Sequence, residues 1–205
     1  MKNKTEYIVS LTAMVTAVVA VFVAILQTNV MKEESAAERE HMRLSVTPSM
    51  WMSRSILDRG QENFSTYSYE FKNQGLGPAI VEKFTIEYDG KYAVDWYDLF
   101  SKVSSDIDGE DKIKGRLFPA NTSSVSPGHV IPAGEAVTPL QLNNDLEIIT
   151  LLLKGNDKLK ISLCYCSFYN DCWNVSGLNT RPEPVKMCKS EAPDFNSSSL
   201  RVSAG

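Results

Sequence analysis

The chain has 205 residues, a formal net charge of −4 and 43% hydrophobic residues, enough for one domain with a real core beside a membrane segment. The acidic balance, with a pI of about 5.3, argues against a nucleic-acid partner, which selects for a basic stripe. No internal repeat runs along the chain, so repeat architectures are excluded as well.

Residues 1–7 form a short tail, expected inside the cytoplasm. Ile8 to Leu26 then holds nineteen residues without a charge, and only Ser10, Thr12 and Thr16 are polar. At about 1.5 Å per residue the stretch spans roughly 28 Å, the thickness of a bilayer core. Lipid offers the backbone no partners, so residues 8–27 are expected to form one transmembrane helix. The run is longer than a signal-peptide core, and Ile25-Leu26-Gln27-Thr28-Asn29 has no small-x-small cleavage site, which points to an uncleaved signal anchor. Basic residues are nearly balanced, with Lys2 and Lys4 before the run and Lys32, Arg39 and Arg43 after it. Charge counting alone therefore leaves orientation open. Glu33, Glu34, Glu38 and Glu40 dilute the second group. With the cysteines described below, this places the N-terminus inside and the following domain periplasmic or extracellular, on the cell inner (cytoplasmic) membrane. Within the run, Ser10, Ala13, Ala17, Ala20 and Ala24 recur at spacings of three and four. Such a seam of small residues reads as a packing face, for a second copy or for another subunit's helix. The alternative is that small residues are simply tolerated in an anchor.

Residues 28–47 are expected to form a helical stalk, since Lys32 to Met42 consists of good helix formers without Gly or Pro. Pro48 opens the soluble domain, residues 48–189. Strand-type runs are Arg43 to Thr47, Thr66 to Phe71, Ile80 to Tyr88, Ile113 to Phe118, Ala136 to Leu142, Leu159 to Phe168 and Cys172 to Val175. Turn signals such as Asp89-Gly90 and Asn170-Asp171 separate them. Short strands at this spacing predict a mainly β fold, an antiparallel sandwich preceded by one transmembrane α-helix. Asp95 to Val103 has helical spacing, with Trp96, Leu99, Phe100 and Val103 on one face and Asp95 as cap. It reads either as a helix closing one end of the sandwich or, with Tyr97, as an aromatic partner patch. Leu146 to Leu153 is apolar throughout and fits a helix turn or a strand. Residues 190–205 are expected to be a disordered tail, having too few apolar groups to offset ordering entropy.

The block Tyr69-Glu70-Phe71-Lys72-Asn73-Gln74-Gly75-Leu76-Gly77-Pro78-Ala79-Ile80 resembles a strand–turn–strand of bacterial Ig-like β-sandwich domains, many of which sit behind one N-terminal membrane helix. Pro132-Ala133-Gly134-Glu135 is similar to another of their turns. The resemblance covers about a third of the chain and implies a fold, with no activity attached. Gly75 and Gly77 are expected to allow positive φ.

All four cysteines lie late: Cys164, Cys166, Cys172 and Cys188. Along Leu159 to Phe168 the core face should carry Leu159, Ile161, Leu163 and Tyr165, leaving Cys164 and Cys166 outward. If Cys166 opposes Cys172, then Tyr165 opposes Trp173 and the apolar faces match. Disulfides Cys166–Cys172 and Cys164–Cys188 are the leading reading. Zinc is the main rival, yet no Cys-x-x-Cys occurs and His41 and His129 lie far off in sequence. The acidic run Ser104 to Asp111 imitates a calcium loop, but Gly115 stands where the closing Glu belongs, which favours a solvated loop. No Gly-x-Ser-x-Gly and no phosphate loop is present. No catalytic residue, metal or cofactor is therefore expected. The reading that remains is a non-catalytic accessory or scaffold subunit of a membrane complex, in contact with the lipid bilayer and a membrane-protein partner. A stand-alone tethered module for a soluble ligand or the cell wall is the alternative, and an enzyme of unknown type is a minor one.

Overall fold

The computed structural model describes residues 2–58, 65–189 and 191–199. It has two compact units, Met1–Ser45 and Val46–Gly205. The first is a single helix, α1 (Lys2–Ser45), long and apolar enough in its first half to cross a membrane. No Gly or Pro interrupts it. Its hydroxyls bond back to their own turns: Thr12 Oγ1 donates to the Val9 carbonyl at 2.9 Å, and Thr16 Oγ1 to the Ala13 carbonyl at 2.9 Å. Apolar surroundings thus meet no unpaired side-chain donor at these positions.

The strand expected over Arg43 to Thr47 is not formed. Residues 43–45 complete α1, and the Thr47 carbonyl instead accepts from the Leu76 N–H at 3.0 Å. The first strand is β1 (Met50–Asp58), followed by β2 (Ser65–Asn73), β3 (Ala79–Tyr88) and β4 (Lys91–Ala93). Helix α2 (Trp96–Asp108) comes next, with Asp95 accepting from the Asp98 N–H as its cap. Then follow β5 (Ala120–Asn121), β6 (Val130–Ile131), β7 (Ala136–Asn143), α3 (Leu146–Lys154), β8 (Leu159–Cys166), β9 (Cys172–Ser176) and β10 (Glu183–Val185). Leu146 to Leu153 is therefore helical, with Asp145 capping it and Ile148, Ile149, Leu151 and Leu152 buried. Ile113 to Phe118 is not a strand. Ile113 is fully buried while its carbonyl accepts from the Arg116 N–H at 2.9 Å, closing a turn.

The strands form two antiparallel sheets, one in the order β1-β2-β7-β5 and one in the order β10-β9-β8-β3-β4, with β6 pairing β3. Strict alternation drives this. In β2 the buried positions are Ser65, Tyr67, Tyr69, Phe71 and Asn73, as period two requires of a strand with one buried face. Met50, Met52, Tyr67, Tyr69 and Phe71 of the first sheet share one core with Phe84, Ile86, Ile161, Leu163 and Tyr165 of the second. Phe71 and Phe84 meet edge to face across it, centroids 5.3 Å apart.

Gly75 and Gly77 do not take up positive φ. Their need is spatial: a Cβ on Gly77 would lie 1.7 Å from the Val46 carbonyl oxygen, and one on Gly75 would lie 2.5 Å from that of Thr47. The segment before β1 passes directly over this turn. Buried Asn73 ties the crossing together. Its Oδ1 accepts from the Ser49 and Gly75 N–H groups, and its Nδ2 donates to the Gly77 and Ile131 carbonyls.

Residues 191–199 correct the expected disordered tail. Phe195 is buried in the core, with its N–H donating to the Phe84 carbonyl at 2.9 Å, and Asn196 bridges to Asp95. One aromatic side chain in a prepared pocket outweighs the polar composition around it. Residues 190 and 200–205 lie outside the described residues.

Candidate functional site

The outer face of the larger sheet gathers most of the chemistry. Along β8 the core takes Ile161, Leu163 and Tyr165, so Ser162, Cys164 and Cys166 face away from it. Pairing of β8 with β9 sets Cys166 opposite Cys172 and Tyr165 opposite Trp173, whose rings stack at 5.8 Å. Cys166 is bonded to Cys172, and Cys164 to Cys188. The second bond draws the chain after β10 back across the sheet. This is why Cys164, Cys166 and Cys172 are at most 8% exposed although they face outward. The Cys188 and Cys166 sulfurs of the two bonds lie 3.9 Å apart.

The returning segment walls a trough of about 260 Å³. Lys83, Thr85 and Glu87 of β3, Lys160 and Ser162 of β8, and Asn174 of β9 form its floor, with Met187 and Lys189 at the wall and Tyr92 also lining it. Cross-strand register sets Glu87 opposite Lys160 and Thr85 opposite Ser162. Lys83 pairs with Asp194 at 3.1 Å. Three lysines thus meet Glu87 and Asp194, a local balance of 3 − 2 = +1 on a chain of net charge −4. Hydroxyls, an amide and lysines over an aromatic edge can hold a polar ligand by hydrogen bonds.

The residues expected as a partner patch are not available as one. Trp96, Leu99 and Phe100 are at most 1% exposed. Phe195 packs on Trp96 at 4.8 Å, and the indole N–H donates to the Ser197 carbonyl at 2.8 Å. Tyr97 is partly buried, its hydroxyl accepting from the Gly115 N–H. The helical spacing thus marked a core face. The seam residues Ser10, Ala13, Ala17, Ala20 and Ala24 all lie on α1 and are exposed.

Ser104 to Asp108 belong to α2 and do not form a solvated loop. Asp106 receives Lys158 on both oxygens and the Tyr88 hydroxyl at 2.8 Å. Those bonds, Lys158 first, hold its carboxyl below the usual range and raise the Lys158 ammonium in turn. The sulfurs of Cys166, Cys172 and Cys188 lie within 4.8 Å of one another. All are in disulfides and offer no thiolate to a metal. Sequence reasoning missed Phe195 and Arg54. Arg54 stands on the inward row of β1, opposite Tyr69, and its charge hides the strand's apolar alternation. No family model, no curated protein and no solved structure matches the chain.

Proposed function

We propose that this protein is a non-catalytic, membrane-anchored accessory subunit. The helix packs within the bilayer, and an Ig-like β-sandwich outside the cytoplasm carries the interactions. The observation that carries the reading is α1 itself, one unbroken helix whose apolar stretch is exposed along every side and bears a seam of small residues. Small residues along one face let the backbones of two helices approach closely in lipid. Two disulfides in the domain support the extracytoplasmic side, since such bonds persist in oxidising compartments. Purification of the full chain in mild detergent, followed by identification of bound proteins, tests it. One membrane protein recovered in fixed ratio, or a stable second copy, is the expected outcome. Recovery of the monomer alone overturns it.

The trough favours a second reading, a tethered module that binds a soluble ligand or the cell wall. Its three lysines, Thr85, Ser162 and Asn174 are the groups such a ligand would meet. Binding of purified wall fragments that is lost in Lys160→Glu, with no protein partner recovered, would favour this reading over the first.

A further inference from the structure

The trough on the larger sheet is lined by both cysteines of one disulfide, Cys164 and Cys188. Cys188 is half-buried and Cys164 is buried, so the Cys188 end of the bond is the more open to a reagent in the trough. Cys164 lies across the ladder from Lys83 on one side and from Asn174 on the other. Lys160 and Lys189 line the same trough, and Lys83 also pairs with Asp194 at 3.1 Å. A thiolate formed at Cys164 therefore arises next to a lysine, in surroundings where positive charge outweighs negative.

The other bond, Cys166–Cys172, stands beside it and is buried at both ends. The Cys166 sulfur is 3.9 Å from that of Cys188, and the sulfurs of Cys166, Cys172 and Cys188 all lie within 4.8 Å of one another. Disulfides exchange when a thiolate attacks one sulfur and the other leaves. Access to the attacked sulfur and a low pKa of the leaving thiol both speed the step. A neighbouring lysine lowers a thiol's pKa. At the trough these two conditions select the same event, attack on Cys188 with departure of Cys164. A thiolate freed at Cys188 then has a second disulfide within reach.

We propose that the Cys164–Cys188 bond is a thiol-exchange site for a dithiol reductant, with Cys166–Cys172 as its relay. One thiolate of the dithiol attacks Cys188 Sγ, and Cys164 leaves as a thiolate beside Lys83. The second thiolate of the dithiol attacks the sulfur of the first, closing the dithiol into its own disulfide, and Cys188 leaves. Two electrons and two protons have then passed from the dithiol to the protein. The Cys188 thiolate next attacks Cys166 Sγ and Cys172 leaves, which forms Cys166–Cys188 with no further change of oxidation state. Cys164 and Cys172 end as thiols. The returning segment is thereby fastened two residues farther along β8, a shift of about 7 Å at about 3.4 Å per residue, and the wall of the trough moves with it. The site goes beyond both functional readings above and stands whatever the trough holds. The competing explanation is that the two bonds are independent staples.

The test uses the full oxidised chain in mild detergent. A single equivalent of dithiothreitol is added at mildly alkaline pH, samples are quenched with acid, and free thiols are labelled with N-ethylmaleimide. Chymotrypsin cuts at Tyr165, between Cys164 and Cys166, so the labels and links are mapped separately. Label on Cys164 and Cys172, together with a Cys166–Cys188 link, is expected. Label on Cys164 and Cys188 with Cys166–Cys172 intact overturns the proposal and leaves two independent staples. So does label on Cys166 and Cys172 with Cys164–Cys188 intact, or no reaction until denaturant is added. Lys83→Gln should slow the labelling of Cys164 several-fold, because the leaving thiolate loses its neighbouring cation. A lysine that only holds Asp194 and the returning segment in place predicts the reverse, and an equal or faster rate in the variant overturns the proposal. Cys172→Ser leaves Cys166 unpaired from the start and should be isolated as a mixture of Cys164–Cys188 and Cys166–Cys188 molecules. Cys164–Cys188 alone would show that the relay does not operate. If either variant fails to fold, the mapping of the unaltered chain decides between the same two outcomes.

Discussion

Phe195 has 2% of its surface exposed and meets Trp96 at 4.8 Å and Phe84 at 5.3 Å, both edge to face. Phe195→Ala removes a ring from a packed site that cannot collapse, and should cost about 3–5 kcal/mol in urea unfolding. A loss below about 1 kcal/mol would mean the segment is only loosely docked. Tyr165 gives a pH signature. Burial raises its phenol to about 12, although its oxygen accepts from the Met50 N–H at 3.0 Å. A folded-state value above the unfolded one, about 10, means the contribution is complete below the unfolded value and lost as pH rises toward about 12. Tyr67 and Tyr69 shift the same way, also by burial. The urea midpoint should therefore fall between about pH 9 and about pH 11, with a shallower fall in Tyr165→Phe. Parallel slopes in the two proteins would assign the alkaline loss elsewhere. At this scale the sequence is legible where period two is unbroken, as in Tyr67, Tyr69 and Phe71. It is opaque at Phe195, where one ring among polar neighbours carries no periodicity, and at Arg54, where a charge stands in an apolar row.

Among the elements, the helix spacing over Asp95 to Val103 and the strand alternation over Leu159 to Cys166 reflect real faces. What periodicity does not reveal is what covers them. The α2 face lies under residues 191–199, and the cysteine face of β8 lies under the return to Cys188. The covering segments come from remote sequence, so no local pattern announces them. Similarly, β1 and β6 were not legible, the first through Arg54 and the second because two residues are too few for a pattern. The α1 seam permits a positional test. Ala17→Leu and Ala20→Leu place bulk on it and should reduce association in a membrane two-hybrid assay by several-fold, whereas Val18→Leu, on another side of the helix, should not. If all three variants behave alike, close helix approach is not what the small residues provide.

For the whole molecule, the proposed orientation is open to a direct measurement. An impermeant protease added to intact spheroplasts should digest the β domain, and protection until the membrane is broken would reverse the assignment. The reach of α1 bears on the same experiment. Its 44 residues extend roughly 66 Å at about 1.5 Å per residue, about twice a bilayer core, so polar helix beyond the lipid is also exposed to cleavage.

The bond from the Trp96 indole to the Ser197 carbonyl also sets a timetable. The two residues are 101 positions apart. At roughly 5–20 residues per second of synthesis, the indole exists on the order of 5–20 s before its partner. For that interval the aromatic side of α2 has been made and nothing yet shelters it. A nascent chain in this state is a natural client for a holdase, and a ribosome stalled between the codons of Trp96 and Ser197 would strand it there.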